Sequence, residues 1–193
     1  MKLPIRVLAT LAVVVVPVTL QIACSSTTKK VTSGGAHYEL VTPASGGPGA
    51  CPDFTAKVTL AVKGDDGKTD KLVPDGQDGA TAQCQFDDTH FAVQVTVPQG
   101  QAGFVAARGT FKAMTSTDAK ISVGVTSGVY TSEDGACTVT FTEKDSGAGS
   151  LTGRFVCSFV DHTTIPGAKC GLTGTNPDGS PVSFFKFRDC SGF

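Results

Sequence analysis

The chain has 193 residues, 40 % of them hydrophobic and 17 % charged, with a formal net charge of −1. That composition supports one folded core and excludes a disordered chain. With no basic stripe anywhere, it also excludes nucleic acid as the expected partner.

The N-terminus is built in three parts. Lys2 and Arg6 form a short basic region, Val7 to Val16 is apolar apart from Thr10, and Ala23 stands immediately before Cys24. Charge, short apolar core and small-residue cleavage site make up an export signal. Val7 to Ala23 falls short of the ~20 apolar residues of a spanning helix, and it contains Pro17 and Gln21. An ordinary signal peptide prefers a small residue at −3 as well, where this chain has Gln21.

The four residues Gln21-Ile22-Ala23-Cys24 resemble the lipobox of bacterial lipoproteins. Ile22, Ala23 and Cys24 match the family pattern, and Gln21 stands where the family has an aliphatic residue. The resemblance implies cleavage before Cys24, acyl chains on Cys24, and a domain working outside the cytoplasm, held to a membrane. Ser25 follows where an Asp would retain an enterobacterial lipoprotein in the inner membrane. In a cell with two membranes the resemblance therefore implies the outer one.

Ser25 to Gly35 is Ser, Thr, Lys and Gly with almost no apolar content. It reads as a flexible tether with an r.m.s. reach of about 17–20 Å. The resulting division is 1–23 signal peptide, 24–36 anchor and tether, and 37–193 a single domain.

Within that domain the hydrophobic period is 2. Even positions from Phe54 to Val62 are apolar, as are odd positions from Phe91 to Val97, from Ile121 to Val125 and from Cys137 to Phe141. Strict alternation marks half-buried strands. Turn signals punctuate them at Asp66-Gly67, Asp75-Gly76, Asp78-Gly79, Asp134-Gly135 and Asp178-Gly179. About nine strands of this kind predict an all-β fold, an antiparallel β-sandwich, with a β-barrel as the alternative.

Seven cysteines are present, an odd number. Lipid on Cys24 removes one and leaves six for up to three disulfides, the bridges of an oxidising compartment. Cys137 and Cys157 lie symmetrically about Gly147, and both flanks alternate. A hairpin there brings the two within the ~4.5–5.5 Å of cross-strand neighbours. Cys170 and Cys190 flank the turn Asn176 to Pro181 in a similar way, and Cys51 is then left to pair with Cys84.

Chemistry-bearing residues are few. Asp87, Asp88 and His90 on one stretch, and Asp161 and His162 on another, are the acid–histidine clusters. Brought together they would make a two-His, carboxylate metal site, but polar loops between strands account for them, and no metal site is expected. The Asp-rich stretches Gly64 to Asp70 and Pro74 to Gly79 lack calcium-loop spacing. Neither G-x-S-x-G nor H-E-x-x-H occurs. The expected protein is therefore not an enzyme and carries no cofactor.

The C-terminal run Phe184-Phe185-Lys186-Phe187-Arg188 cannot direct all three rings to one face of a regular strand. It is either a strand covered on both faces or a contact surface of Phe185 and Phe187 with Lys186 and Arg188. The leading functional expectation is a membrane-anchored interaction or structural module of the cell envelope, with an envelope protein as partner. The alternative is a small-molecule or lipid carrier with an apolar interior.

Overall fold

The computed structural model describes residues 30–43, 51–53, 55–60, 71–98, 103–173 and 183–193. The Cys24 site, the Gly64 to Asp70 stretch and the turns at Asp66-Gly67 and Asp178-Gly179 lie outside them. The described chain is almost wholly antiparallel sheet, and no helix in it is long and apolar enough to cross a membrane.

The described residues form twelve strands: β1 (Ser33–Val41), β2 (Lys57–Leu60), β3 (Val73–Pro74), β4 (Thr81–Phe86), β5 (His90–Val97), β6 (Gly103–Thr110), β7 (Thr115–Val125), β8 (Gly128–Thr131), β9 (Cys137–Asp145), β10 (Ser150–His162), β11 (Lys169–Leu172) and β12 (Phe184–Arg188). The additions to the expected number include β3, β8 and β11, which are two to four residues long. Such segments are too short to show a period.

One sheet runs β4-β5-β6-β7, continues through β8 and β9 to β10, and then through β11 and β12 to β1. β2 and β3 pair along the far edge of β1. The sheet folds over, so that β1 packs on β4 and β5, and β2 on β5 and β6. The result is a sandwich, not a closed barrel. The expected alternation fills its interior: Phe91, Val93 and Val95 of β5, Ile121 and Val123 of β7, and Val139 and Phe141 of β9 are all buried.

Three register shifts occur among the described strands, one of them in the β9–β10 pair between Thr152 and Gly153. The β7–β9 register slips between Ser116 and Ala119, and the β10–β11 register between Cys157 and Val160. A bulge inserts a residue and turns the following side chains to the other face. Cys157 is therefore buried on the odd phase of β10, and Val160 and His162 on the even phase.

Turn chemistry follows the Asp-Gly signals. Gly76, Gly79 and Gly135 adopt positive φ of 82°, 78° and 78°, a conformation glycine enters without steric cost. In the β9–β10 hairpin, Asp145 Oδ1 accepts from Ala148 N at 2.9 Å, and Cys137 and Cys157 sit directly opposite and are bonded.

The other pairings differ from the expectation. Cys51 joins Cys170 and Cys84 joins Cys190, each across 4.8 Å between Cα atoms, rather than Cys51 joining Cys84 and Cys170 joining Cys190. The cause is the fold-over. β11 pairs with the end of β1 at Leu40 and Val41, near the loop that carries Cys51. The tail after β12 lies along β4, where Ser191 N donates to Cys84 O at 3.0 Å and Phe86 N to Ser191 O at 3.0 Å.

The expected tether also ends sooner. Ser33 to Ala36 belong to β1, paired with Phe185 to Arg188 of β12. Gly34 is there for space, since a Cβ would overlap the Phe187 ring.

Phe185 and Phe187 are fully buried, which corrects the contact-surface expectation. β12 lies between β1 and β10, so its inward rings have no route to solvent. Phe184 faces the other way, beside the His37 ring at 6.1 Å. Arg188 is exposed and pairs with Glu143 at 3.3 Å. Lys186 lies between Gly35 and Thr152 in the ladder.

Candidate functional site

The acid–histidine clusters do not combine. Asp87 Oδ1 accepts from Thr89 N and His90 N, each at 2.6 Å, and from Thr89 Oγ1 at 2.9 Å. These bonds, His90 N first, hold its carboxyl at about 2 against an ordinary 3.8. One oxygen of this carboxylate is thus taken by its own turn. Asp88 is fully exposed, 3.9 Å from Lys144, and His90 sits near the Phe193 ring.

His162 is buried elsewhere, at the end of β10, with its ring edge-on to Tyr130. Its Nδ1 accepts from Ile165 N at 3.1 Å and Thr164 N at 3.2 Å, so the proton is assigned to Nε2. Nε2 lies under Gly128, without a hydrogen-bond partner among the described residues. Asp161 pairs with Lys169 at 3.0 Å. Among the described residues no three His, Cys, Asp or Glu side chains group to hold a metal ion.

A Ser, an Asp and a His do approach one another around β8, in a non-catalytic order. Ser127 Oγ and Tyr130 Oη both donate to Asp53 Oδ2, each at 2.6 Å. Burial first, and Asp53 second, push the Tyr130 phenol well above its ordinary value. A triad needs the imidazole between the hydroxyl and the carboxylate. Here the hydroxyl meets the carboxylate directly, and Nδ1 of His162 is spent on backbone amides. The cluster pins the Cys51–Asp53 turn to β8.

A different face carries the site. On the outer side of β4 to β7 the register aligns Gln85, Ala92, Arg108 and Lys120 in one row, and Gln83, Gln94, Ala106 and Ser122 in the next. Same-face residues of a strand repeat about every 7 Å, so the rows run side by side at that spacing. Ala92 and Ala106 are short, and the flanking side chains stand above them around an open depression of about 630 Å³. Its rim is Thr32, Asp75 and Ser191. The same three residues border a second depression of about 750 Å³ that reaches Lys30 and Asp189, so the two are adjoining.

The electrostatics are uneven. Arg108 and Lys120 are direct cross-strand partners, a like-charge placement that destabilises a sheet. Lys120 reaches Asp134 at 3.4 Å, but that acid is 87 % exposed, and such surface pairs contribute little. No acid pairs with Arg108 among the described residues. Asp75 Oδ1 is engaged by Ala82 N at 2.9 Å, and Ser122 Oγ lies 3.1 Å from Thr131 Oγ1. The lining offers two cations and three side-chain amides, a set suited to holding a polar anion.

The alternation in the sequence already places Gln83, Gln85, Gln94, Arg108 and Lys120 on the outward phase. Their assembly depends on strand register, which the periodicity of single strands does not carry. Comparison of the chain with protein-family models, with curated proteins and with solved structures finds no match.

Proposed function

We propose that this protein is an exported bacterial lipoprotein, anchored through lipid on Cys24, whose β domain is a non-enzymatic interaction module of the cell envelope. The reading places it on the outer membrane of a two-membrane cell. The observation that carries it is the cysteine inventory. The three disulfides use every cysteine of the chain except Cys24. An exported protein with one cysteine outside its bridges needs a use for that thiol, and Cys24 closes the lipobox-like run.

The interior favours an interaction module over a carrier. Phe91, Phe141, Phe155 and Phe185 occupy the space between the layers, with ring centroids 5.0–6.4 Å apart. A carrier needs an apolar cavity of some hundreds of Å³, whereas the depression at β4 to β7 is open and carries charged and amide side chains. Lys30 borders the second depression, which adjoins it, and six residues of chain span at most about 22 Å. An anchor on Cys24 therefore keeps the β4–β7 face close to the membrane.

The test is intact-mass measurement of the protein from membranes. The expected species begins at Cys24 and carries acyl chains, and Cys24→Ser leaves the precursor unprocessed. A mature chain with an unmodified Cys24 overturns the anchor.

A further inference from the structure

The Arg108–Lys120 pair is the least explained feature of the fold. Two cations directly opposite on neighbouring strands repel, and a sheet gains nothing from placing them so. A ligand carboxylate between them would turn that repulsion into two charge-assisted hydrogen bonds. We propose that the trough across β4 to β7 binds an extended acidic peptide segment of a partner protein, clamped by Arg108 and Lys120 and flanked by the amides of Gln94, the nearest, and of Gln83 and Gln85. The proposal rests on the interaction-module reading and gives its partner a chemistry.

The lining decides among anionic ligands. Among the described residues no aromatic side chain lines the depression, so a sugar ring finds no stacking platform there. The three amides and Ser122 stand where an acyl chain would need an apolar wall, which disfavours a lipid. A peptide backbone alternates donors and acceptors, and a glutamine amide offers both. The spacing matches as well. Alternate side chains of an extended peptide recur about every 7 Å, the separation of the charged row from the amide row. A segment lying along β6 and β7 sets an acidic side chain against Arg108 and Lys120, and its second neighbour over Ala106 and Ser122, with Gln94 of the same row on the adjoining strand. The Ala92 and Ala106 floor gives the backbone room to approach.

The experiment is a fluorescence-anisotropy titration of the full-length protein in detergent micelles. The probe is a labelled, end-blocked peptide of alternating Glu and Ser, compared with the same peptide carrying Gln for Glu. The acidic peptide should bind and the Gln peptide should not. Binding should weaken as salt rises from about 0.05 to 0.5 M. Arg108→Gln with Lys120→Gln should weaken it at least roughly tenfold, while Arg154→Gln on β10 leaves it unchanged. Ala92→Leu, which keeps both charges and fills the floor, should also weaken it. Circular dichroism and the absence of free thiols establish that each variant is folded.

Equal binding of the two peptides, or binding of neither, overturns the proposal. So does Arg108-dependent binding of phosphatidylglycerol vesicles or of a uronic-acid oligosaccharide in place of the peptide. The anchor is read separately by mass. An unlipidated chain that still binds the acidic peptide removes the anchor and leaves the clamp, and a lipidated chain that does not bind removes the clamp alone.

Discussion

Gly34 and Gly153 occupy their positions because a phenylalanine ring lies where a side chain would go. A Cβ on Gly153 would stand 2.6 Å from Phe185 Cζ, and Phe185 is fully buried with no room to give way. Gly153→Ala should therefore destabilise the domain by about 1–3 kcal/mol, the range for overpacking a core. Urea unfolding measures this, and an unchanged midpoint would refute it. The same physics explains why Ser33 to Gly35 reads from composition as tether. A glycine selected for close approach and one selected for flexibility look identical in a sequence. Asp118 is a second residue whose role only the fold displays. It accepts from Thr110 Oγ1 at 2.6 Å, Thr110 N at 3.0 Å and Ser116 Oγ at 2.8 Å. These bonds, that from the Thr110 hydroxyl first, hold its carboxyl at about 2 against 3.8. A carboxyl depressed in the folded state stabilises it above the unfolded value, and that contribution is lost as pH falls toward the folded one. Wild type should thus lose thermal stability between about pH 4 and pH 2 more steeply than Asp118→Asn. Parallel curves for the two would remove Asp118 from the account.

β4 is an edge strand, and the chain shields it in two ways. The Asp75 carboxylate takes Ala82 N, and the tail takes Cys84 O and Phe86 N through Ser191. An uncovered edge invites pairing with other chains, so the Cys84–Cys190 bond guards an interface as well as a loop. The paired change Cys84→Ser with Cys190→Ser should cost about 2–5 kcal/mol. It should also speed hydrogen exchange at the Phe86 amide, read by mass spectrometry. Retained protection would show that the tail holds without its bridge. At this scale the sequence is most legible where strands are long and regular. β5 and β9 follow the alternation of Phe91 to Val97 and Cys137 to Phe141 almost residue for residue. Legibility fails at β3, β8 and β11, and at the bulges near Thr117 and Ser158, where one inserted residue reverses the pattern. β12 shows both sides. Alternation separates Phe184 from Phe185 and Phe187, but only its position between β1 and β10 shows that the inward rings are sealed.

The disulfides report how the molecule closes. Cys51–Cys170 and Cys84–Cys190 interleave along the chain, with Cys137–Cys157 inside both. Pairing by nearness in sequence finds the hairpin bond, because a hairpin is local. It misses the other two, because they record the sheet folding over on itself. Non-reducing peptide mapping should recover these three links, and recovery of Cys51–Cys84 would contradict the fold-over. The register that assembles Gln83, Gln94, Arg108 and Lys120 into one face is likewise a property of the whole sheet. The partners of β1 carry a further consequence. Synthesis proceeds from the amino end, so β1 emerges early, whereas β11 and β12, which cover one of its edges, emerge last. Contacts between the two ends of a chain form slowly and leave edges bare meanwhile. Each new molecule therefore passes through a stage in which β1 to β10 have been made and one edge of the first strand still waits for its neighbours. Its survival through that interval depends on whatever keeps other chains away until Phe184 to Arg188 arrive.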